Sequence, residues 1–340
     1  MAYEFNLQQI VFSSVDRVAL ESTRAQFDLG RDDVLLRNQF TLVSAGTELA
    51  KLTGLQQVDY PLTPGNRAIG TVIAAGDDVT DVTVGDLAFS HAPHASHAPA
   101  SAFRVRVPEG VDPKEAALVG LAMVGMTAVR VGQVELGDRA AVIGMGLVGN
   151  LAAQLLQLAG AEVIAIDVNA ARLAAAHASG ITQTIDATQE DVRDAVMTMT
   201  RERGVDVVVE ASGAAQAAEL AVSLTGRDGE GIVVLLGSPR KGHETDLTPF
   251  LNHVHLWHGG SVMLRGAHEW RYPRNHSPYQ KHSMARNAEI IFRLMLQDKL
   301  CTLPLITHTY RPAAAPEAYA GLQQRPDSHL GVLFDWTDQR

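Results

Sequence analysis

The chain has 340 residues and a formal charge of −10, from 28 Lys and Arg against 38 Asp and Glu. About two domains fit that length at ~150 residues each, and 46% hydrophobic content can bury a core, which excludes a disordered chain. The acidic balance argues against nucleic acid and anionic membranes as partners, and the single cysteine, Cys301, excludes an intrachain disulfide and a Cys-based zinc finger. Met1 to Phe12 shows no basic region followed by an apolar run, and no stretch approaches the ~20 apolar residues of a membrane helix. The expectation is a soluble, cytoplasmic protein.

From Phe5 to about Pro108 the pattern is short and strand-like. Val34 to Val43 and Ala68 to Ala75 are strand-like stretches, and Gly76-Asp77-Asp78 and Val84-Gly85-Asp86 are turn signals. This region reads as β-rich. From about Val119 to Gly266 the rhythm becomes strand, helix, strand. Strands are expected at Ala140 to Ile143, Ala161 to Ile166, Val205 to Glu210 and Ile232 to Leu236. Helices are expected at Gly149 to Leu158, Ala171 to Ala178, Gln189 to Arg201 and Ala214 to Leu224. Such alternation implies an α/β, doubly wound parallel sheet with right-handed crossovers. A polar, His-rich segment follows to about His282, then an amphipathic helix from Arg286 to Gln297 and short mixed elements from Pro304 to Trp336.

Gly144-Met145-Gly146-Leu147-Val148-Gly149 is G-x-G-x-x-G directly after a strand and opening a helix. Its glycines permit a tight turn, approach of backbone to a pyrophosphate and close helix packing, and the helix N-terminus offers free N–H groups. Asp167 ends the next strand, where a carboxylate bonds a ribose 2′-OH and repels a 2′-phosphate. The expected cofactor is therefore NAD. Arg172 either reaches the adenosine ribose or is solvated.

Several segments in the same order resemble the medium-chain dehydrogenase/reductase superfamily, the family of zinc alcohol and sorbitol dehydrogenases. Ser44-Ala45-Gly46-Thr47-Glu48 is similar to its Cys-Gly-Thr-Asp segment, and Pro64-Gly65-Asn66-Arg67 to its Pro-Gly-His-Glu segment. Val84-Gly85-Asp86-Leu87-Ala88, Gly204 to Gly213 and Pro304-Leu305-Ile306-Thr307-His308 also resemble family segments. The resemblance implies a GroES-like catalytic domain over 1–120 and 268–340 and a Rossmann domain over 121–267. It adds Ala211 and Gly237 to the expected cofactor contacts, beside Gly144, Gly146, Leu147, Val148, Gly149, Asp167 and Arg172. It also implies a homodimer or homotetramer, through the edge at Ser261 to Leu264.

The departures from the family matter as much. Ala45 stands for the first zinc ligand, Asn66-Arg67 for His-Glu, and Leu118 to Leu121 offers no third. A catalytic zinc needs three protein ligands, so no metal is expected. Without it, donors aimed at the substrate oxygen and a general base must share the task. Thr47 matches the hydroxyl that starts the family's proton relay. Arg67 would either hold a developing oxyanion or pair with Glu48, and Asn66 would bond a substrate hydroxyl or backbone. His91 and His94 are the candidate bases. His97 completes a triplet whose rings need not share a face, because Pro93 breaks any helix. His268, Glu269, Asn66 and Glu48 are candidate substrate contacts, whereas His253 to His258 reads as an interface or surface loop.

A cleft rich in hydrogen-bonding groups suits a polyol, sugar or cyclitol. The leading expectation is thus an NAD-dependent, zinc-independent alcohol/ketone oxidoreductase. The alternatives are an enone or quinone reductase of the zinc-free branch and a non-catalytic NAD(H)-binding protein.

Overall fold

The computed structural model describes residues 2–100, 103–226 and 230–338. The chain divides into two compact units. The first comprises 1–120, 272–298 and 305–340, and the second comprises 121–271 with the short segment 299–304.

In the first unit, Ala2–Ser14 and Arg17–Asp28 form an antiparallel hairpin. The main sheet runs Ile306–Tyr310, Gly331–Asp335, Val34–Leu42, Ala68–Ala75, Leu87–Ser90, Arg104–Arg106, and His97–Ala100 pairs with Val34–Leu42 as well. All its pairings are antiparallel except that of Ile306–Tyr310 with Gly331–Asp335. One core cluster joins Ile10, Phe12, Val43, Leu52, Tyr319, Phe334 and Trp336, drawn from both ends of the chain.

The β-rich expectation for this region missed a helix, Ala45–Leu52. Eight residues with a glycine at the second position are too short and too poor in propensity to register locally. Tertiary contacts supply what propensity lacks: Ala50 and Leu52 are buried, and the Glu48 carboxylate accepts from the Ser44 N–H at 2.7 Å. A second helix, Ala315–Gln324, lies within the mixed tail and buries Ala315, Ala318, Tyr319 and Leu322. The expected amphipathic helix is Met284–Leu296, capped by Ser283.

The second unit is a six-stranded, wholly parallel sheet in the order 183–186, 162–167, 139–143, 207–210, 232–235, 263–266. Numbered along the chain that order is 3-2-1-4-5-6, the doubly wound arrangement. Its central strands bury both faces, so their residues alternate between two cores. Ala140, Val142, Val207 and Val209 enter one cluster, and Ala141, Ile143 and Val208 enter the other. The helices Leu147–Leu158, Ala170–Ala178, Val192–Thr200 and Ala215–Leu224 match the expected four within a few residues. His253 to His258 is not a loop: Leu247–His255 is helical and Trp257–Gly259 adds a 3-10 turn. The Asp246 carboxylate caps that helix by accepting from the Thr248 N–H, which local sequence reading overlooked.

Candidate active site

The glycine loop follows the strand Arg139–Ile143 and starts the helix Leu147–Leu158. The three glycines have separate reasons. Gly144 turns the chain at φ 93°, and a Cβ there would stand 2.7 Å from the Ser212 nitrogen. A Cβ on Gly149 would run into the Gly144 carbonyl. At Gly146 a Cβ would meet nothing, so the space in front of the helix N-terminus is open. Leu147 is buried beneath the loop and Val148 is half-buried. An open backbone cradle at a helix N-terminus fits a dinucleotide pyrophosphate.

Asp167 is buried at the end of the strand Glu162–Asp167. The Met145 N–H donates to its Oδ2 at 2.6 Å and the Asn169 N–H to its Oδ1 at 2.9 Å. One carboxylate thus ties the glycine loop to the start of the next helix. Each oxygen keeps a further lone pair for a ribose hydroxyl. Arg172 stands 3.8 Å from Oδ2, with its Nε buried and unmatched by a hydrogen bond. Ala211 and Gly237 lie at the carboxyl ends of neighbouring strands, on the same side of the sheet as the glycine loop. Ligands of such sheets bind outside these ends, where strand order reverses between 139–143 and 207–210.

Sequence reading missed Glu210. Its Oε1 accepts from the Ser212 N–H at 2.8 Å, the Gly213 N–H at 3.0 Å and the Ser212 hydroxyl, while its carbonyl accepts from the Leu236 and Gly237 N–H groups. A buried acid ending an all-valine strand was the available signal.

In the first unit the candidate residues gather because the Leu42 N–H donates to the Arg67 carbonyl at 3.0 Å. That bond sets the chain leaving for Thr47 beside the chain arriving through Asn66. Thr47 is half-buried on the first turn of the helix Ala45–Leu52. Asn66 is half-buried too, and its Oδ1 is shielded from solvent with no hydrogen-bond partner. Arg67 is not an exposed cleft residue, for only 2% of it is accessible. It donates from Nη1 to the Asn66 carbonyl at 3.0 Å and lies across Gly120, where any Cβ would collide with its Cδ and Nε. Phe89 flanks the same glycine, and His91 meets Phe89 edge-on and stacks on Phe103 with centroids 5.1 Å apart.

His94 and Glu48 require correction. Neither lines an open cleft: His94 is fully buried and Glu48 nearly so. Glu48 Oε2 receives His94 Nε2 at 3.0 Å and the Tyr319 hydroxyl at 2.5 Å, and His94 Nδ1 lies 2.7 Å from Thr41 Oγ1. With both ring nitrogens engaged inside the core, His94 has no lone pair or proton to offer a substrate. Burial alone would raise the Glu48 carboxyl, but the charge and hydrogen bond of His94, the Tyr319 hydroxyl and the Ser44 N–H outweigh it and hold it below the usual carboxylate range. His97 points elsewhere again, stacked on Phe5 at 4.3 Å, so the His91–His94–His97 triplet has three separate environments.

His268 is exposed, and its Nδ1 accepts from the Trp270 N–H at 3.2 Å. Glu269 is half-buried in the adjoining 3-10 turn, just past the strand Met263–Gly266.

A catalytic zinc does not fit the donors present. Ala45 and the stretch Leu118 to Leu121 have none, Asn66 offers a neutral amide, and Arg67 beside it is a buried permanent cation that lies across Gly120. Among the described residues no three His, Cys, Asp or Glu side chains group as metal ligands.

Comparison with known proteins gives a common answer. The zinc-binding dehydrogenase family matches residues 148–272. The chain is 29% identical over 279 residues to the D-guloside 3-dehydrogenase of Escherichia coli K12, covering 79% of this chain and 77% of that protein. It is 31% identical over 250 residues to the "Putative D-xylulose reductase" of Agrobacterium fabrum, covering 62% of this chain and 70% of that protein. In fold it is similar to galactitol-1-phosphate dehydrogenase from Escherichia coli, with a TM-score of 0.83 and 20% identity over 96% of this chain and 99% of the other.

Proposed function

This chain belongs to the medium-chain dehydrogenase/reductase superfamily, and on that premise we propose an NAD(H)-dependent oxidoreductase that interconverts a secondary alcohol and a ketone on a hydroxyl-rich substrate without a catalytic zinc. The substrate class is a polyol, sugar or cyclitol, in line with relatives named for a guloside and for xylulose. The observation that carries the cofactor assignment is Asp167, a buried carboxylate bonded to the glycine loop itself. A negative charge fixed there repels a 2′-phosphate.

A bound nicotinamide dinucleotide supplies the hydride acceptor and donor. The chain's own residues do the rest. Gly144, Gly146, Leu147, Val148 and Gly149 present the N–H cradle, and Ala211 and Gly237 border it. Asn66 Oδ1 accepts a hydrogen bond from a substrate hydroxyl, and Arg67 holds Asn66 by its carbonyl while placing a fixed positive charge beside it. Thr47 passes the hydroxyl proton on, and of the two candidate bases, His91 and His94, His91 is the one whose ring is not locked into the Glu48 network. His268 and Glu269 complete the substrate contacts. The same reading includes a homodimer or homotetramer, paired through the outer edge of the strand Met263–Gly266 and checked by light scattering.

The test is reduction of NAD and NADP by the purified protein with D-sorbitol, xylitol, a cyclitol and a methyl glycoside, alongside elemental analysis. Turnover with NAD, and no zinc in stoichiometric amount, is the expected result. Turnover only on an α,β-unsaturated ketone would replace the reading with an enone reductase. Activity that tracked one zinc per chain would sink the metal-free chemistry.

A further inference from the structure

Five residues far apart in the sequence form one interior polar network in the first unit. Trp336 Nε1 donates to Thr41 Oγ1 at 3.0 Å, Thr41 Oγ1 meets His94 Nδ1 at 2.7 Å, and His94 Nε2 donates to Glu48 Oε2 at 3.0 Å. Tyr319 donates to the same carboxylate oxygen from the opposite side. The network lies among Phe12, Phe334 and Tyr319: His94 meets Phe334 edge-on at 5.1 Å, and Phe12 meets Tyr319 edge-on at 5.0 Å.

The donor and acceptor directions close without a gap. An ionised carboxylate only accepts, so His94 Nε2 must carry its hydrogen in either protonation state of the ring. The Thr41 hydroxyl turns to give or take at Nδ1, while Trp336 always donates to it. Burial and the Glu48 charge hold the Tyr319 hydroxyl well above its ordinary range, so it stays a donor. A buried carboxylate with this many donors is rigid, because losing any one leaves a charge under-solvated in the interior.

The remaining carboxylate oxygen, Glu48 Oε1, accepts from the Ser44 N–H. Ser44 precedes the helix Ala45–Leu52, has no side-chain cap of its own, and accepts the Thr47 N–H at its carbonyl at 3.0 Å. The carboxylate therefore reaches back to the cap residue's own N–H, as the acid of a capping box does, and fixes the turn that carries Thr47.

We propose that Glu48, His94 and Tyr319, with Thr41 and Trp336 behind them, are positioning residues that fix the first turn of the helix Ala45–Leu52 and thereby the stance of the Thr47 hydroxyl. This rests on the proton-passing role assigned to Thr47, and it extends the site to residues of the C-terminal segment. None of the five touches substrate. The groups that face the Glu48 carboxylate are His94, Tyr319 and the Ser44 N–H.

The experiment compares Tyr319→Phe, Glu48→Gln, Thr47→Val and the Tyr319→Phe/Thr47→Val double variant in the full chain. Hydrogen exchange followed by mass spectrometry should show segment 44–52 exchanging about tenfold faster in Tyr319→Phe and Glu48→Gln. The strand Ala68–Ala75 should keep its protection. With the best polyol, Tyr319→Phe should lower kcat about tenfold at unchanged KM for NAD, and the double variant should lose no more than Thr47→Val alone. The acid transition of Tyr319→Phe should move to higher pH, since stability from a lowered carboxyl is present above 4.5 and lost as pH falls below it. Unchanged exchange in 44–52, equal loosening of the whole unit, or additive kcat losses would each overturn the proposal. Should no polyol be turned over, the functional reading fails, and the exchange comparison still decides the positioning role.

Discussion

Asp167 shows how much one side chain can settle. Its two oxygens gather N–H groups from the glycine loop and from the start of the next helix, and the Arg172 guanidinium stands 3.8 Å away, so one buried carboxylate ties these segments together. Replacing it with Ser keeps a short acceptor and removes the charge. Asp167→Ser should shift the ratio of kcat/KM for NAD over NADP towards NADP by about 100-fold, in the range of a hydrogen bond to a charged group. Steady-state kinetics with both cofactors checks this; an unchanged ratio would remove Asp167 from the cofactor site. The position was legible because a strand end after G-x-G-x-x-G is a local signal. Its bond to the Met145 N–H was not legible, being a contact between two loops.

Among elements, the glycine loop separates packing from binding. Gly149→Ala drives a Cβ into the Gly144 carbonyl and should cost about 3 kcal/mol, the upper end for overpacking, with loss of dinucleotide affinity. Gly146→Ala meets open space and should change stability by less than about 1 kcal/mol. Its NADH affinity should nonetheless fall at least about tenfold, since the added methyl fills the cradle. Thermal melts and NADH fluorescence titration distinguish the two. Another element carries a pH response. His329 is buried just ahead of the strand Gly331–Asp335, stacked on His308 at 3.8 Å and hydrogen-bonded to the Tyr310 hydroxyl of the paired strand Ile306–Tyr310. Burial, then His308 and Arg325, lower its pKa from the ordinary 6.5. Its stabilising contribution is therefore complete above pH 6.5 and is lost as pH falls towards the lowered value. Urea unfolding of His329→Phe should show a flatter stability curve below pH 6.5 than the parent.

For the whole molecule, the two units answer to different kinds of information. No helix among the described residues is long and apolar enough to cross a membrane. If Arg67 occupies the zinc position as proposed, a strong chelator should leave both melting temperature and activity unchanged; a chelator-induced fall in either would contradict it. The sequence by itself determined the parallel sheet as a class, four of its helices and the glycine loop, while the strand Gln183–Asp186 and the helix Leu247–His255 went unread. In that unit hydrophobic period, glycine spacing and strand ends are local, and the central strands bury alternate residues on two faces. It also determined that Ala45 and Leu118 to Leu121 bear no metal donor. Only the tertiary structure decided what the polar residues of the other unit do. Glu48 and His94 read as site residues because acids and imidazoles are chemically able, yet Glu48 spends its hydrogen bonds on His94, Tyr319 and Ser44, and His94 spends its own on Glu48 and Thr41. The helix Ala45–Leu52 was invisible for the same reason, since its stability comes from partners at Tyr319 and His94 rather than from its own eight residues. Charge and residue type are written along the chain, but burial and partnership are set by contacts between distant segments, and those separate a positioning carboxylate from a catalytic one.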